Sequence, residues 1–345
     1  MRGLWRFAAC VAVPLATVCA TSFAGTSSQP TQPAFALPAP GRLLVEVPGS
    51  GVLVVERDGA RRRLGEWYEA AWSPDGRLVA AARGRTVAAL DLEGRVVWSL
   101  RRSVAFPLRQ PDWASDALRL AYRDGDAVRV VERDGSGDRV VARRLRFAGP
   151  RWRPGTGNLL AWADRRGRVR LLDVVSGRTL WRSSPGPPVR PWGLVWSPSG
   201  TTLAAVSGTS VRVFDADAGR LLRRVRARGT ERFEAAAFAR PGSPRLMLVR
   251  HDIRHGGSRV TSLAARRSGA REQRLFAGRG RVVDLTFSPD GRWVLLGWRG
   301  ADQWRFVRLD GGNRVVAVNR VTRRLNRKPI GRWAFPVVRA WCCPP

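Results

Sequence analysis

Short apolar runs alternate with polar turns along most of this chain, and the pattern is clearest at residues 71–80. Two apolar residues, Ala71 and Trp72, precede the four residues Ser-Pro-Asp-Gly, and a second apolar run starts at Leu78. Serine suits the first position of a type I turn, proline presets φ at the second, aspartate is tolerated at the third and glycine suits the fourth. The stretch therefore predicts a strand, a tight turn and a second strand.

A version of this stretch returns at five later positions, and its best copy is Ser288 to Gly291. The aromatic residue that leads each copy falls at positions 72, 113, 152, 196, 238 and 287, at intervals of 41, 39, 44, 42 and 49 residues. Such a period is typical of the four-stranded blades of β-propellers. We interpret the six copies as one structural repeat.

The residues that follow each turn also argue for strands rather than helical repeats of similar length. Residues 78–82 are apolar almost throughout, whereas residues 211–215 alternate between apolar and polar and end on Asp215. In a propeller, neighbouring blades cover the middle strands on both faces, while the outer strands meet water on one side. The pattern predicts an all-β fold, a single β-propeller of four-stranded antiparallel blades.

Six complete units and one partial unit predict seven blades, with six as the alternative. The partial unit has three strand-like runs, at residues 43–47, 52–56 and 61–64, and Asp58 and Gly59 form a hairpin-like turn before the last of them. The partial unit lacks an opening strand. Because the blades form a closed ring without an unpaired edge strand, another part of the chain must supply that strand. We expect residues 41–318 to form the propeller and the tail, 319–345, to close it through residues 333–339, although Pro336 interrupts that run.

The Ser-Pro-Asp-Gly motif followed by an apolar strand resembles the WD40-like repeats of TolB-type propellers, also called PD40 repeats. The resemblance covers residues 66–318. Neither the Gly-His nor the closing Trp-Asp pair of true WD40 proteins recurs at the expected places, and the sequence leaves no room for the α/β domain that precedes the propeller of TolB. The resemblance implies an interaction scaffold rather than the specific role of TolB.

The first 24 residues have the organisation of a signal peptide. Two arginines precede an apolar segment at residues 7–20, and Ser22 and Ala24 are small residues of the kind that a signal peptidase recognises. The segment is short for a bilayer, so we expect cleavage after Ala24 and no membrane span in the mature chain. Residues 25–40 are rich in Ser, Thr, Gln and Pro and predict a disordered linker. The expected location is secreted or in the cell envelope, and an uncleaved N-terminal membrane anchor is the alternative.

The chain is strongly basic, with 61 Lys and Arg residues against 27 Asp and Glu residues, and Lys328 is its only lysine. Arginine recurs in nearly every hairpin and outer strand, which predicts a diffuse solvated charge with non-specific affinity for polyanions. A functional anionic partner is the alternative, and residues 220–232 and 320–332 are its densest candidates. The 15 tryptophans fall mostly at repeat or strand positions, which favours core packing over stacking on nucleic-acid bases.

Residues suited to catalysis are scarce. The two histidines, His251 and His255, could bind a metal on one helical face, but Gly256 and Gly257 and the repeat pattern predict an exposed loop there. The turn aspartates Asp75, Asp116 and Asp290 are explained by their turns without a ligand. The sequence contains no nucleophile elbow with a usable histidine and no phosphate loop. We predict no catalytic, cofactor-binding or metal-binding residue.

Cys342 and Cys343 are the only cysteines beyond the expected cleavage site, and they are adjacent. Exposed thiols rarely stay free in an oxidising compartment, and two cysteines are too few ligands for a metal site. The prediction is a disulfide, within one chain or between chains.

These observations predict an exported, monomeric scaffold that binds an unidentified protein or small ligand at the funnel face of the propeller. A protein that binds a polyanion, either nucleic acid or an acidic envelope polymer, is the first alternative. A propeller hydrolase or lyase with a funnel site is the second, and residues 250–280 form the long interval where its chemistry would lie.

Overall fold

Seven four-stranded antiparallel sheets account for almost all the regular structure in the residues described by the computed structural model. Those residues are 35–103, 106–239, 245–265, 272–310, 314–326 and 334–343. The fold is therefore an all-β propeller of seven blades, as predicted from the repeat.

Blades one to three contain the first eleven strands, together with the last strand of the chain. In chain order the eleven are β1 (Arg42–Val47), β2 (Gly51–Val55), β3 (Arg61–Gly65), β4 (Tyr68–Trp72), β5 (Val79–Arg83), β6 (Thr86–Leu90), β7 (Val96–Arg101), β8 (Leu108–Trp113), β9 (Arg119–Asp124), β10 (Ala127–Glu132) and β11 (Arg139–Ala142). Blade one holds β1 to β3, blade two β4 to β7 and blade three β8 to β11.

Blades four to seven follow in the same way, with four consecutive strands each. They are β12 (Arg151–Trp152), β13 (Leu159–Ala163), β14 (Val169–Asp173), β15 (Thr179–Arg182), β16 (Leu194–Trp196), β17 (Thr202–Val206), β18 (Ser210–Asp215), β19 (Leu221–Arg226), β20 (Glu231–Phe238), β21 (Arg245–Asp252), β22 (Gly257–Ala264), β23 (Gln273–Arg279), β24 (Val282–Phe287), β25 (Trp293–Trp298), β26 (Gln303–Arg308) and β27 (Val315–Asn319). A 3₁₀ helix (Arg299–Ala301), the helix α1 (Val321–Leu325) and the final strand β28 (Val337–Cys342) complete the list.

The repeat turns have the predicted geometry. The backbone N–H of Gly76 donates to the carbonyl of Ser73 at 2.9 Å, and that of Gly291 donates to Ser288 at 2.8 Å. The hydroxyl of Ser73 accepts a hydrogen bond from the N–H of Leu78 at 2.9 Å, which ties the turn to the strand that follows it. The corresponding turn at residues 238–242 lies mostly outside the described residues.

The middle strands are buried on both faces because each lies between two neighbouring blades. In β5 the first four residues are buried, whereas most residues of the outer strand β7 are exposed or half-buried. The core consists of seven apolar layers, one at each junction between adjacent blades. Burial of these layers from water stabilises the ring.

The C-terminal strand closes the ring. Strand β28 pairs antiparallel with β1 and forms the innermost strand of blade one, so the two ends of the chain share one sheet. The predicted closing role is thus present, but the described strand spans residues 337–342 rather than the predicted 333–339, of which residue 333 lies outside the described residues. The strand begins at Val337 because Pro336 has no backbone N–H to give to the ladder.

The segment before the first strand packs onto the propeller. Leu37 and Ala39 are buried, and the N–H of Leu37 donates to the carbonyl of Arg57 at 2.7 Å. The predicted linker at residues 25–40 is therefore ordered over its last six residues. The predicted signal peptide, 1–24, and the rest of that linker lie outside the described residues.

Within the part of the chain that the structure describes, no helix has the length and apolarity that crossing a membrane requires.

Candidate functional site

Side chains from five blades converge on one cavity where the innermost strands surround the axis of the propeller. The cavity has a volume of about 240 Å³. Its charged and aromatic lining comes from blade four, the segment that enters blade five, and blades six, seven and one, namely Arg151, Trp192, Glu234, Asp284 and Arg339. We call this cavity the central funnel.

Trp192 is the aromatic centre of the funnel. The guanidinium carbon of Arg151 lies 4.6 Å from the centroid of its ring, and that of Arg339 lies 4.7 Å from it. Both distances are within the range of cation–π attraction. Trp192 has a left-handed backbone with a φ of 59°, and a Cβ at the next residue, Gly193, would lie 2.7 Å from the carbonyl oxygen of Val206. Glycine at position 193 therefore allows the close approach that turns the indole toward the axis.

Carboxylates on the inner strands hold neighbouring blades together at the funnel. Each accepts a hydrogen bond from a backbone N–H of the next blade, and the distances range from 2.6 to 3.0 Å. The pairs, carboxylate first, are Glu46 with Ala70, Glu69 with Gln110, Asp112 with Trp152 and Asp284 with Val338. The N–H groups that these strands do not use in their own sheets are satisfied in this way.

Most charges in the funnel are paired. Arg151 donates to Asp112 at 2.6 Å, and Arg339 forms an ion pair with Glu46. The carboxylate of Glu234 forms ion pairs with the guanidinium groups of Arg190 and Arg281, and each N···O distance is 2.8 Å. The charges of the funnel thus largely compensate one another, and no single sign of charge is concentrated there.

Asp284 is the exception, since it is buried without an ion pair among the described residues. Burial raises the pKa of its carboxyl to about 7, although the hydrogen bond from Val338 and the charge of Arg339 act in the opposite direction. Glu46 raises it further. A pKa this far above the usual range of a carboxyl follows from burial of the charged form without a compensating ion pair.

The two histidines belong to a hairpin of blade six and are not among the residues that line the central funnel. His251 is in β21, whereas His255 lies in the exposed turn before β22, so the loop predicted at the histidines is present at His255 but not at His251. The long interval at residues 250–280 belongs to blade six. Its described parts, 250–265 and 272–280, are mainly strands, because blade six has longer strands than the others. His255 contacts Asp252 at 2.9 Å, and this hydrogen bond lowers the pKa of the Asp252 carboxyl.

No group of three or more metal-ligating side chains occurs among the described residues. The turn aspartates instead bond to their own turns. Asp75 and Asp290 each accept the N–H of the residue two places later, at 3.2 and 3.0 Å, and Asp116 does so at 2.9 Å. These contacts account for the aspartates as parts of their turns.

Cys342 and Cys343 lie at the end of the closing strand, and their sulfur atoms are bonded to each other. They pack against the first repeat turn, because a Cβ at Gly76 would lie 2.8 Å from the sulfur of Cys343. The oxidation state of this pair in the protein stays a prediction.

The two arginine-rich stretches have different positions. Residues 220–232 comprise the outer strand β19, the loop after it and the start of β20. Of residues 320–332, only those up to Asn326 are described, and they include α1. The first stretch lines a cleft of about 810 Å³ beside blade six.

Reasoning from the sequence missed the funnel residues. A signal was present, because an acidic residue occurs three or four places before the leading aromatic in three repeats. These are Glu69 before Trp72, Glu234 before Phe238 and Asp284 before Phe287. The inner strands carry irregularities in their register at these places, and the irregularities direct the carboxylates across to the next blade.

No protein-family model matches the sequence, and no curated protein matches it either. Several solved structures share its fold. A chain of the Mitotic Checkpoint Complex is 20% identical with a TM-score of 0.63, and the match covers 88% of this chain and 99% of that chain. The Cps50 (Swd1) β-propeller domain of Myceliophteria thermophila is 17% identical with a TM-score of 0.56, over 74% and 87% of the two chains.

The hydrazine synthase of Kuenenia stuttgartiensis is 18% identical with a TM-score of 0.56, over 71% of this chain and 77% of that chain. The neighbours include an enzyme and a chain of a checkpoint assembly, and their identities are low. The likeness therefore shows a seven-bladed β-propeller with a WD40-like fold, and it shows no activity.

Proposed function

We propose that this protein is an exported propeller of the TolB-like type that acts as a binding scaffold and recognises its partner at the central funnel. The observation that carries the proposal is the convergence of Arg151, Trp192 and Arg339, from three different blades, on one cavity. Ligand sites are concave and combine an aromatic or apolar surface with a few placed polar groups. An indole flanked by two guanidinium groups has that character.

We further propose that the funnel binds without catalysis. Its carboxylates hold the backbones of adjacent blades, and the arginines beside Trp192 are bound to Asp112 and Glu46. A general acid or base must be free to reach a substrate, whereas the ion-paired groups are committed to the ring, and Asp284, which has no ion pair among the described residues, accepts the N–H of Val338. Both histidines lie in the blade-six hairpin.

Export is supported by the charged start, the short apolar segment and the small residues before position 25. Sequencing the amino terminus of the mature protein from its native host tests it. Recovery of a protein that starts at Gly25 from the envelope or medium is expected, and recovery of intact Met1 from the cytosol would contradict export.

Photo-crosslinking tests the recognition site. A crosslinking amino acid at Pro191, an exposed residue beside the funnel, should give a discrete adduct with the partner in intact cells. The same group at Val175, an exposed residue in a hairpin of blade four, is the control. Trp192→Ala should remove the Pro191 adduct, because it removes the aromatic surface. Equal labelling at both positions, or an adduct that survives Trp192→Ala, would contradict a funnel site.

A further inference from the structure

A second concave surface lies on the flank of the ring, away from the funnel. A cleft of about 810 Å³ runs between the outer strand of blade five and blade six, and a second of about 240 Å³ runs between blades four and five. Arg224 lines both clefts, so they are adjacent at this residue. We call the two clefts together the basic groove.

The larger cleft has an excess of positive charge. Six arginines and two glutamates line it. Arg250 donates to both carboxylate oxygens of Glu272, at 2.5 and 2.6 Å, and Arg259 forms an ion pair with Glu231. Two of the six cations are therefore neutralised within the cleft, and the remainder leave it strongly basic.

Three of the remaining arginines form a row. Arg224 and Arg226 are two residues apart in β19 and project to the same side of the strand, and Arg228 follows after its end. All three are exposed. Within the described part of the chain, no hydrogen bond or ion pair engages any of their guanidinium groups. Residues at alternate positions of a strand lie about 7 Å apart, so Arg224 and Arg226 present two positive charges at that spacing, and Arg228 extends the row beyond the strand.

The smaller cleft contains a buried cation that lacks a counter-charge. Arg212 is 3% exposed, and its guanidinium donates to the carbonyl oxygens of Ser184 and Gly167. No carboxylate within the described ranges lies at ion-pair distance from it. Burial, and secondarily the charge of Arg224, lower the pKa of Arg212. A buried charge without a partner is costly, and an anion in this cleft would compensate it.

The arrangement indicates the class of ligand. A row of guanidinium groups suits a chain of anionic groups, and each guanidinium can hold two phosphate oxygens at once. Nucleic-acid clefts add aromatic side chains on which bases stack. Among the described residues that line the basic groove, the only aromatic is Phe214, and the guanidinium carbon of Arg212 lies 5.6 Å from the centroid of its ring. The groove therefore suits phosphate groups without bases.

We propose that the basic groove binds a linear chain of phosphate groups, with the chain along Arg224, Arg226 and Arg228 and one end beside Arg212. The site is separate from the funnel and does not depend on the function proposed there. The arginines are spread over all blades in the sequence, but the fold gathers some of them in this groove.

Titration calorimetry with tripolyphosphate tests the proposal on the full mature chain. The triple variant Arg224→Gln, Arg226→Gln, Arg228→Gln should weaken binding by at least about a hundredfold, since each arginine loses charge-assisted contacts. The slope of log K against log salt concentration should fall by about 2, because three phosphate contacts no longer release counterions. Thermal unfolding at the wild-type temperature would show that the triple variant is folded.

The matched control is Arg61→Gln, Arg62→Gln, Arg63→Gln, which removes the same charge from the exposed strand β3 of blade one. It should change the affinity by less than about threefold. Equal losses in both triple variants would overturn the site in favour of diffuse charge.

Three further measurements separate the ligand classes. Arg212→Lys keeps the charge but not the planar fork, and it should weaken tripolyphosphate binding by about tenfold. Orthophosphate that binds as tightly as tripolyphosphate would overturn the chain-like ligand. A single-stranded oligonucleotide or poly-glutamate that binds more tightly than a polyphosphate of equal charge would overturn the phosphate assignment.

Discussion

The indole N–H of Trp341 donates a hydrogen bond to the carbonyl oxygen of Pro40, 3.0 Å away, and so joins the last strand of the chain to the segment that enters the first. Trp341 is buried and meets the ring of Phe306 edge-on, with centroids 5.4 Å apart. Trp341 thus links the C-terminal strand to the segment before the first strand and to the core of blade seven. The chain passes from β27 of blade seven to β28 of blade one, so the ring closes non-covalently where β28 pairs with β1, and contacts of this kind support that closure.

Trp341→Ala should lower the free energy of unfolding by about 3 to 5 kcal/mol, since it removes a large buried side chain and its hydrogen bond. Urea denaturation followed by circular dichroism measures this. Trp98→Ala is the control, because Trp98 also donates an indole hydrogen bond, to Arg133, but is only partly buried. A loss at Trp341 no larger than at Trp98 would contradict the importance of closure.

Asp284 should make the stability of the propeller depend on pH near neutrality. Its pKa is about 7 in the folded protein and near 3.8 when unfolded, so the folded state binds the extra proton between these values. The stabilising effect of that proton is complete below about pH 4 and is lost as the pH rises toward 7. Asp284→Asn should remove this dependence and be more stable than the wild type at pH 8.

Chemical denaturation of both proteins at several pH values between 4 and 8 checks this prediction. Asp290→Asn, at a half-buried position in the turn at residues 288–291, is the control and should keep the wild-type profile. A wild-type profile in Asp284→Asn would contradict the assignment.

Asp138 should be a major stabilising residue of blade three. Its carboxylate accepts a hydrogen bond from the hydroxyl of Tyr122 at 2.8 Å. It also accepts hydrogen bonds from the guanidinium groups of Arg129 at 2.9 Å and Arg102 at 3.1 Å. Asp138→Ala would leave Arg129, which is largely buried, without its counter-charge, so we expect a loss of about 3 to 5 kcal/mol. Asp134→Ala, in an exposed turn nearby, should cost less than about 1 kcal/mol in the same urea titration. Similar losses in the two variants would contradict the cluster.

Cys342 and Cys343 should be oxidised in the exported protein. Alkylation without reduction, followed by mass spectrometry, should find no free thiol, and a peptide that contains both cysteines should be two hydrogens lighter than its reduced form. Two alkylated cysteines would contradict the disulfide. A covalent dimer on non-reducing gels would show that the bond forms between chains.

Local chemistry was enough to predict most of the fold. The turn at residues 73–76 depends on the local backbone preferences of its serine, proline, aspartate and glycine. The continuous apolar run after this turn indicates a strand that is covered on both faces. Each blade repeats these local effects, so the number of blades followed from the period. The bounds of β28 could not be predicted in the same way, because its register is set by pairing with β1, almost 300 residues earlier in the chain.

The sites were decided by the tertiary structure. The closed ring brings three blades to one axis, and Arg151, Trp192 and Arg339 meet there for that reason. The sequence around each of these residues does not indicate that the other two lie nearby. Likewise, the sequence does not distinguish Arg212 from other arginines in the outer hairpins. Only the packing of blades four and five buries Arg212 beside Arg224. Strands and turns depend on neighbours along the chain, whereas a converging site and an uncompensated charge depend on distances and burial that exist only once the blades have packed.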